Sequence, residues 1–247
     1  PHVAKAANQV IPESQGFDPQ EISKLIETYD NTGVFFAPTM IVRLLATDTV
    51  KESALTNLRT IIYGGGPMYT ADLIKALEVF GYKLIQVYGQ GESPMTITYL
   101  SKLAHAQTNS DRYLDILSSV GISRTDVEVR VVDDDDHMMP AQELGEIVVR
   151  GDVVMDGYWG NPEASARTLK GGWLHTGDIG VMDNQGYLTL KDRTKDVIIS
   201  GGSNIYPREV EEVLLKHDAV LETSVVGRPH PDWGEEVIAF VSRRPGS

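Results

Sequence analysis

Two side chains of opposite charge stand fifteen residues apart: Asp178 in Thr176-Gly177-Asp178 and Arg193 in Asp192-Arg193. Asn184-Gln185-Gly186 turns the chain between them. A hairpin there would set a carboxylate, which accepts hydrogen bonds from a ribose diol, beside a guanidinium that donates to ribose or phosphate oxygens. The same two residues equally make a plain ion pair across a hairpin. Two glycine-rich loops add to them. Gly64-Gly65-Gly66-Pro67 is either a tight turn needing positive φ or a place where backbone passes close to a planar ligand. Tyr88-Gly89-Gln90-Gly91-Glu92-Ser93 carries a carboxylate just past its turn. Glu92 there suits Mg2+, which takes one or two carboxylates with phosphate oxygens, or is a solvated cap.

Spacing excludes several other chemistries. The sixth position of the first loop is Tyr69, not glycine, and no G-x-x-x-x-G-K-[ST] run occurs, so neither dinucleotide nor P-loop signature is met. Gly91-Glu92-Ser93-Pro94-Met95 lacks the second glycine of a serine-hydrolase elbow. Asp133-Asp134-Asp135-Asp136 lacks the EF-hand spacing and reads as a solvated hairpin loop. The six histidines have no metal spacing and there is no cysteine, which removes thiolate zinc sites, disulfides and cysteine nucleophiles.

The elements that must hold these residues come next. Asp18, Pro19 and Glu21 open a helix with Ile22, Leu25, Ile26 and Tyr29 on one face. Val34 to Ala37, Thr60 to Tyr63 and Leu84 to Tyr88 read as strands, with a helix after Pro38 and another capped by Thr70 and closed by Gly81. This alternation predicts a largely parallel sheet covered by helices, with ligands at the carboxyl ends of its strands, where both glycine loops lie. After residue 118 the pattern turns to alternating strands (Val127, Val129, Val131, then Ile147 to Val149) and predicts antiparallel pairing, as in a small barrel. From Asp196 a strand at Val197 to Ile199, a helix opened by Pro207, and strands at Ser224 to Val226 and Val237 to Val241 predict part of a small α+β domain.

The 247 residues are 41% hydrophobic and 23% charged, ordinary for a globular protein of one large or two modest domains. A net charge of −13 repels nucleic acid and anionic membranes, so neither is an expected partner. No apolar run approaches the roughly 20 residues of a membrane span. The cytoplasm is the default location, and a homodimer stays open. The chain begins at Pro1 and ends at Arg244-Pro245-Gly246-Ser247, which reads as a fragment.

These motifs occur in one order: Gly64-Gly65-Gly66-Pro67, Tyr88-Gly89-Gln90-Gly91-Glu92, Thr176-Gly177-Asp178, Asp192-Arg193, Ile199-Ser200-Gly201-Gly202 and Pro207-Arg208-Glu209-Val210-Glu211. In that order they resemble the AMP-forming adenylating superfamily, which holds acyl-CoA synthetases, luciferases and peptide-synthetase adenylation domains. The runs 145–161 and 199–211 resemble the fatty-acid and aryl-acid CoA ligase branch most.

The resemblance implies an acid–thiol ligase using ATP, Mg2+ and coenzyme A, which forms an acyl-adenylate and passes the acyl group to the thiol. An adenylation domain loading a carrier protein and a non-catalytic nucleotide-binding module are the alternatives. It implies the C-terminal part of a large α/β domain, with a helix-covered, mostly parallel sheet (1–118) and a small antiparallel barrel (119–192). A hinge (193–196) and the first half of a small α+β domain (197–247) would follow. Gly65, Gly66 and Pro67 would lie along adenine and acyl group. Gln86, Tyr88, Gly89, Gln90 and Gly91 would continue the nucleotide wall, with Tyr88 stacking on the base. Glu92 would bind Mg2+, Asp178 the ribose, and Arg193 ribose or phosphate. Lys195 would be the hinge, and Gly201 and Gly202 would pass the pantetheine of coenzyme A. Phe35, Gly64 to Gly66 and Met95 to Thr98 would flank a pocket for a fatty or aromatic acid. Gly91 departs from the threonine common at its place.

By the same resemblance a phosphate loop would precede Pro1 and a catalytic lysine would follow Ser247. The 247-residue polypeptide alone is therefore expected not to complete adenylation. Pyrophosphate release measures this directly, and near-normal turnover from this chain would refute it.

Overall fold

Asp18 starts the first helix as its type predicts. Its carboxylate accepts from the Gln20 and Glu21 N–H groups and caps α1 (Pro19–Thr28). Glu21 does not reach back to close a capping box. Its carboxylate instead accepts from the Glu13 and Ser14 N–H groups and pins the preceding segment. Ile26 is buried and Tyr29, expected on the same face, is exposed. The computed structural model gives the structure of residues 6–47, 49–50 and 52–244. Pro1 and Pro245 to Ser247, on which the fragment reading drew, lie outside these described residues.

β1 (Thr32–Phe36), α2 (Pro38–Leu45), α3 (Glu52–Asn57), β2 (Leu58–Tyr63), α4 (Thr70–Phe80) and β3 (Leu84–Gln90) follow. β1, β2 and β3 pair in parallel, joined by helical crossovers as the alternating pattern requires. Ile41, Leu44, Leu73 and Phe80 from the helices pack on Leu58, Ile61 and Leu84 of the strands. Beyond β3 the sheet becomes mixed. β4 (Ser93–Leu100), α5 (Lys102–His105), α6 (Tyr113–Ser118) and β5 (Ile122–Ser123) follow, and β4 and β5 add antiparallel strands at that edge. The first sheet therefore runs past residue 118. Gly89 sits at the irregularity in the β3–β4 pairing, between Tyr88 and Gln90: a Cβ there would sit 2.2 Å from Met95 N.

β6 (Glu128–Val132), β7 (Leu144–Arg150), α7 (Pro162–Thr168), β8 (Leu174–Met182) and β9 (Leu188–Arg193) form the second unit. Its sheet is antiparallel in the order β6-β7-β8-β9. Where the alternation suggested a small barrel, β6 and β9 are outer strands with no pairing between them among the described residues. Four short strands leave the ring unclosed, and Val131, Ile147, Val149, Leu174 and Leu188 form a one-sided core that also takes Tyr88 of β3. The aspartate run is a loop in which Asp133 accepts from the Asp135 and His137 N–H groups.

The third sheet has the order β11-β10-β13-β12. It is built from β10 (Ile198–Ser200), β11 (Ser203–Ile205), β12 (Val220–His230) and β13 (Gly234–Arg243), with α8 (Pro207–Leu214) between β11 and β12. The acidic first turns of α8 dock on the large unit. Glu209 pairs with Lys191 at 2.7 Å, Glu211 accepts from the Tyr69 hydroxyl at 2.5 Å, and Asp192 Oδ2 accepts from Arg208 N at 3.2 Å. This corrects the expected cap of α4. Tyr69, not Thr70, occupies the cap position and makes no side-chain cap bond. Thr70 lies inside the first turn, and its backbone N–H donates to the Glu212 carboxylate at 3.4 Å.

One buried histidine predicts a pH dependence. His105 is 0% exposed, and desolvation pushes its pKa down to about 4 from 6.5. The unfolded chain therefore takes up this proton before the folded one does. The stabilisation is whole above pH 6.5 and drains away as pH falls through 4, about 3 kcal/mol in all. Denaturant titrations at pH 7 and pH 4 should show this loss in wild type and a smaller one in His105→Gln; equal losses would refute it.

Candidate functional site

The loop after β2 is shaped by one close approach. Gly64 is buried, and a Cβ on it would lie 2.3 Å from Val87 O, so only glycine lets the end of β2 press against β3. Gly65 follows with φ +81°. Gly66 and Pro67 are exposed and, with Gly65, line a cavity of about 590 Å3 between the large unit and the small third sheet. Gln86 and Tyr88 stand two residues apart on β3, hence on one face, and both line the same cavity.

Asp178 and Arg193 meet as their spacing requires. They are direct partners across the β8–β9 ladder, and Arg193 Nε donates to Asp178 Oδ1 at 3.1 Å. The carboxylate is 6% exposed and has two more donors: the Tyr88 hydroxyl at 2.6 Å and Gln90 Nε2 at 2.8 Å, both on Oδ2. Burial, and then the Asp178 charge, hold the Tyr88 pKa well above the ordinary phenol value, so Tyr88 remains a donor. Asp178 is therefore an ion-pair partner and also the acceptor that joins β3 to β8 and β9. Arg193 is half exposed and lines the cavity, a charge available to an anion.

The Thr-Gly-Asp turn is held by two groups that sequence reasoning did not select. Glu146 Oε1 accepts from Gly177 N at 3.0 Å, and its Oε2 lies 2.8 Å from His175 Nδ1. The Thr176 hydroxyl donates to Ile147 O at 2.7 Å. A glutamate inside a strand of buried valines and isoleucine was the available signal at Glu146. Leu190, Val225, Val226 and Glu235 also line the cavity. The last three come from β12 and β13 and carry no motif, because their place depends on how the third sheet docks.

The other expected site residues fall in two groups. Lys195 lines the cavity within the short 194–196 turn, and Thr194 ties that turn to Gly177 O at 3.1 Å. Gly89 is also on the wall, and Gln90 touches it through Asp178. Gly91, Glu92, Gly201 and Gly202 stand outside it. Glu92 accepts from the Tyr158 hydroxyl at 2.5 Å, and no group of three His, Cys, Asp or Glu surrounds it among the described residues. A single carboxylate of this kind suits a Mg2+ shared with substrate phosphates, not a resident ion. Gly201 (φ +57°) and Gly202 (φ +82°) make the exposed β10–β11 turn. Phe35 and Met95, expected beside an acyl pocket, are exposed and lie off the cavity wall.

Residues 1–159 match the model of the AMP-binding enzyme family, and residues 209–247 match that of the AMP-binding enzyme C-terminal domain. A medium/long-chain-fatty-acid–CoA ligase of Mycobacterium tuberculosis is 40% identical over 230 residues, covering 92% of this chain and 39% of the relative. Among solved structures, an amide bond synthetase from Marinactinospora thermotolerans superposes with a TM-score of 0.85 at 37% identity, over 95% of this chain and 47% of that one. An o-succinylbenzoate CoA synthetase from Bacillus subtilis, solved with an acyl-adenylate intermediate, gives 0.79 at 34% identity, over 95% and 46%. The chain thus spans less than half the length of each.

Removing the carboxylate should be felt in stability. Asp178→Ala leaves the buried Tyr88 hydroxyl without its acceptor, a loss of about 1–3 kcal/mol. Urea denaturation of Asp178→Ala and Asp178→Asn would measure it, with the asparagine milder because it still accepts; an unchanged midpoint for alanine would show that the bond contributes nothing.

Proposed function

The chain belongs to the AMP-binding enzyme family, and from that membership we propose that its protein activates a carboxylic acid with ATP and passes the acyl group to coenzyme A. In the first half-reaction a carboxylate oxygen bonds to the α-phosphorus of ATP and the bond to pyrophosphate breaks. In the second the sulfur of coenzyme A bonds to the acyl carbon, its proton departs, and AMP leaves. The carrying observation is the convergence of the Gly65–Pro67 loop, Tyr88, Asp178, Arg193 and Lys195 on one cavity.

Each residue has a task its chemistry supports. Asp178 offers Oδ1 to the ribose diol while Tyr88 and Gln90 keep Oδ2 in place. Arg193, once exchanged from Asp178 to ribose or phosphate oxygens, supplies positive charge beside the reacting phosphate, and such charge placement is often the largest catalytic contribution. The Gly65–Pro67 backbone and Gln86 bound the base and acyl side, and Gly89 to Gly91 continue the nucleotide wall. Glu92 would hold Mg2+ on the phosphates, where the ion neutralises charge as pyrophosphate departs. Lys195 sits where the small unit would pivot. That pivot would take the Gly201-Gly202 turn from its exposed place to the thiol side, so that one cavity serves two half-reactions.

The proposed substrate is a fatty or aromatic acid, in line with the fatty-acid and o-succinylbenzoate relatives. The need for ATP and coenzyme A supports a cytoplasmic location; no helix among the described residues is long and apolar enough to cross a membrane. A second acceptor has support from the amide bond synthetase, which shares the scaffold at a TM-score of 0.85. Transfer to an amine, or to a carrier-protein thiol, would use the same adenylate.

A panel of fatty and aromatic acids with ATP, Mg2+ and coenzyme A, assayed on the full-length protein, should yield acyl-CoA with matching pyrophosphate. Pyrophosphate without acyl-CoA would favour another acceptor, and neither product from any acid would refute the reading. Calorimetry should show AMP binding weakened about tenfold or more in folded Asp178→Ala, as expected for a lost charged hydrogen bond. Unchanged affinity would remove Asp178 from the ribose site.

A further inference from the structure

A hydrogen-bond chain runs from α5 along one face of the first sheet, through the paired residues Tyr63 and Gln86, to the cavity. His105 Nδ1 lies 2.7 Å from Ser101 O. A carbonyl only accepts, so Nδ1 carries the hydrogen. The ring is fully buried and desolvation keeps it neutral, its pKa pushed down to about 4, which leaves Nε2 bare. Nε2 lies 3.0 Å from the Tyr63 hydroxyl. Tyr63 has one hydrogen to give, and His105 takes it. On the other side of the same hydroxyl, 3.2 Å away, is Gln86 Oε1. With the hydrogen turned to His105, two oxygen acceptors face each other there.

Turning the Gln86 amide over removes that conflict. Its Nε2–H then donates to Tyr63 Oη, and its carbonyl oxygen takes the opposite place. Which amide atom stands where is decided by such a network. The opposite place is the cavity. Gln86 lines it, and its second amide atom is neither bonded to protein nor shut off from solvent among the described residues.

We propose that His105, acting through Tyr63, is a positioning residue that turns the Gln86 carbonyl oxygen toward the cavity, so that the site accepts a hydrogen from a 6-aminopurine and disfavours a 6-oxopurine. The exocyclic amine of adenine donates to that oxygen, whereas the exocyclic oxygen of hypoxanthine would face it as a second acceptor. The selectivity resides in Gln86, but its sign is set two hydrogen bonds away, by a residue that does not line the cavity. This rests on the nucleotide reading given above.

Calorimetry with AMP and IMP tests it. Wild type should prefer AMP by about tenfold, the cost of one buried hydrogen bond left unmade. His105→Phe returns the Tyr63 hydrogen to Gln86 Oε1, so the amide turns and the preference should vanish or invert. Tyr63→Phe frees the amide to adopt either orientation and should bring the ratio toward one. His105→Gln can still present an acceptor to Tyr63 and should restore the preference. A parallel loss of affinity for both nucleotides, with the ratio intact, would mean that His105 only supports the fold and would overturn the proposal. Imidazole 15N shifts of the ligand-free protein give a second arm: Nδ1–H with bare Nε2 is expected, and Nε2–H would overturn the proposal without any ligand. AMP binding without preference over IMP rejects this inference alone; binding of neither nucleotide by wild type rejects the nucleotide reading and this inference with it.

Discussion

A buried carboxylate with three donors is the point on which the site depends. Asp178 is 6% exposed, and an unpaired charge there would carry a desolvation penalty of several kcal/mol. Tyr88 and Gln90 on one oxygen and Arg193 on the other offset it. Because those donors come from β3 and β9 while the acceptor comes from β8, satisfying one charge also fixes the first sheet against the second. Glu146 and Thr176 then hold the turn that delivers Asp178. The cavity floor is rigid for the same reason that the charge is tolerated.

The second wall of the cavity has a different physical basis. The third sheet meets the large unit largely through polar contacts from the first turns of α8, where Glu209, Glu211 and Glu212 also complement the helix dipole. The Lys191 pair and the Tyr69 bond are single, partly exposed interactions, each modest in water. A seam of that kind separates at low cost. It is compatible with the pivot proposed above, and the wall residues Val225, Val226 and Glu235 follow no local pattern because the docking of the third sheet brings them there.

Much of the floor was legible in the sequence because local steric rules write it there. Gly64 and Gly89 are glycines since a Cβ would strike backbone at 2.3 and 2.2 Å, and both were visible as breaks at strand ends. The Asp178–Arg193 pairing was legible from hairpin length alone. The α4 cap was misread at Thr70 because its partner, Glu212, lies 142 residues away. The barrel was over-read because period-two alternation reports a half-buried strand and does not report whether a sheet closes. The roles of His105 and Tyr63 were invisible, since a buried histidine on a four-residue helix looks like packing until its neighbours' donors and acceptors are counted.

By itself the sequence determined the parallel crossovers, the glycine turns, the hairpin that pairs Asp178 with Arg193 and the family. These follow from periodicity, from glycine's freedom and from short loops, all local properties. Only the tertiary structure decided that Asp178 is shared among three donors, that α8 closes the cavity by its acidic end, and that Glu92 and the Gly201-Gly202 turn stand off the wall. Those facts depend on contacts between residues far apart in the chain, whose free energy is set by burial and by the full set of hydrogen-bond partners, which no local pattern encodes.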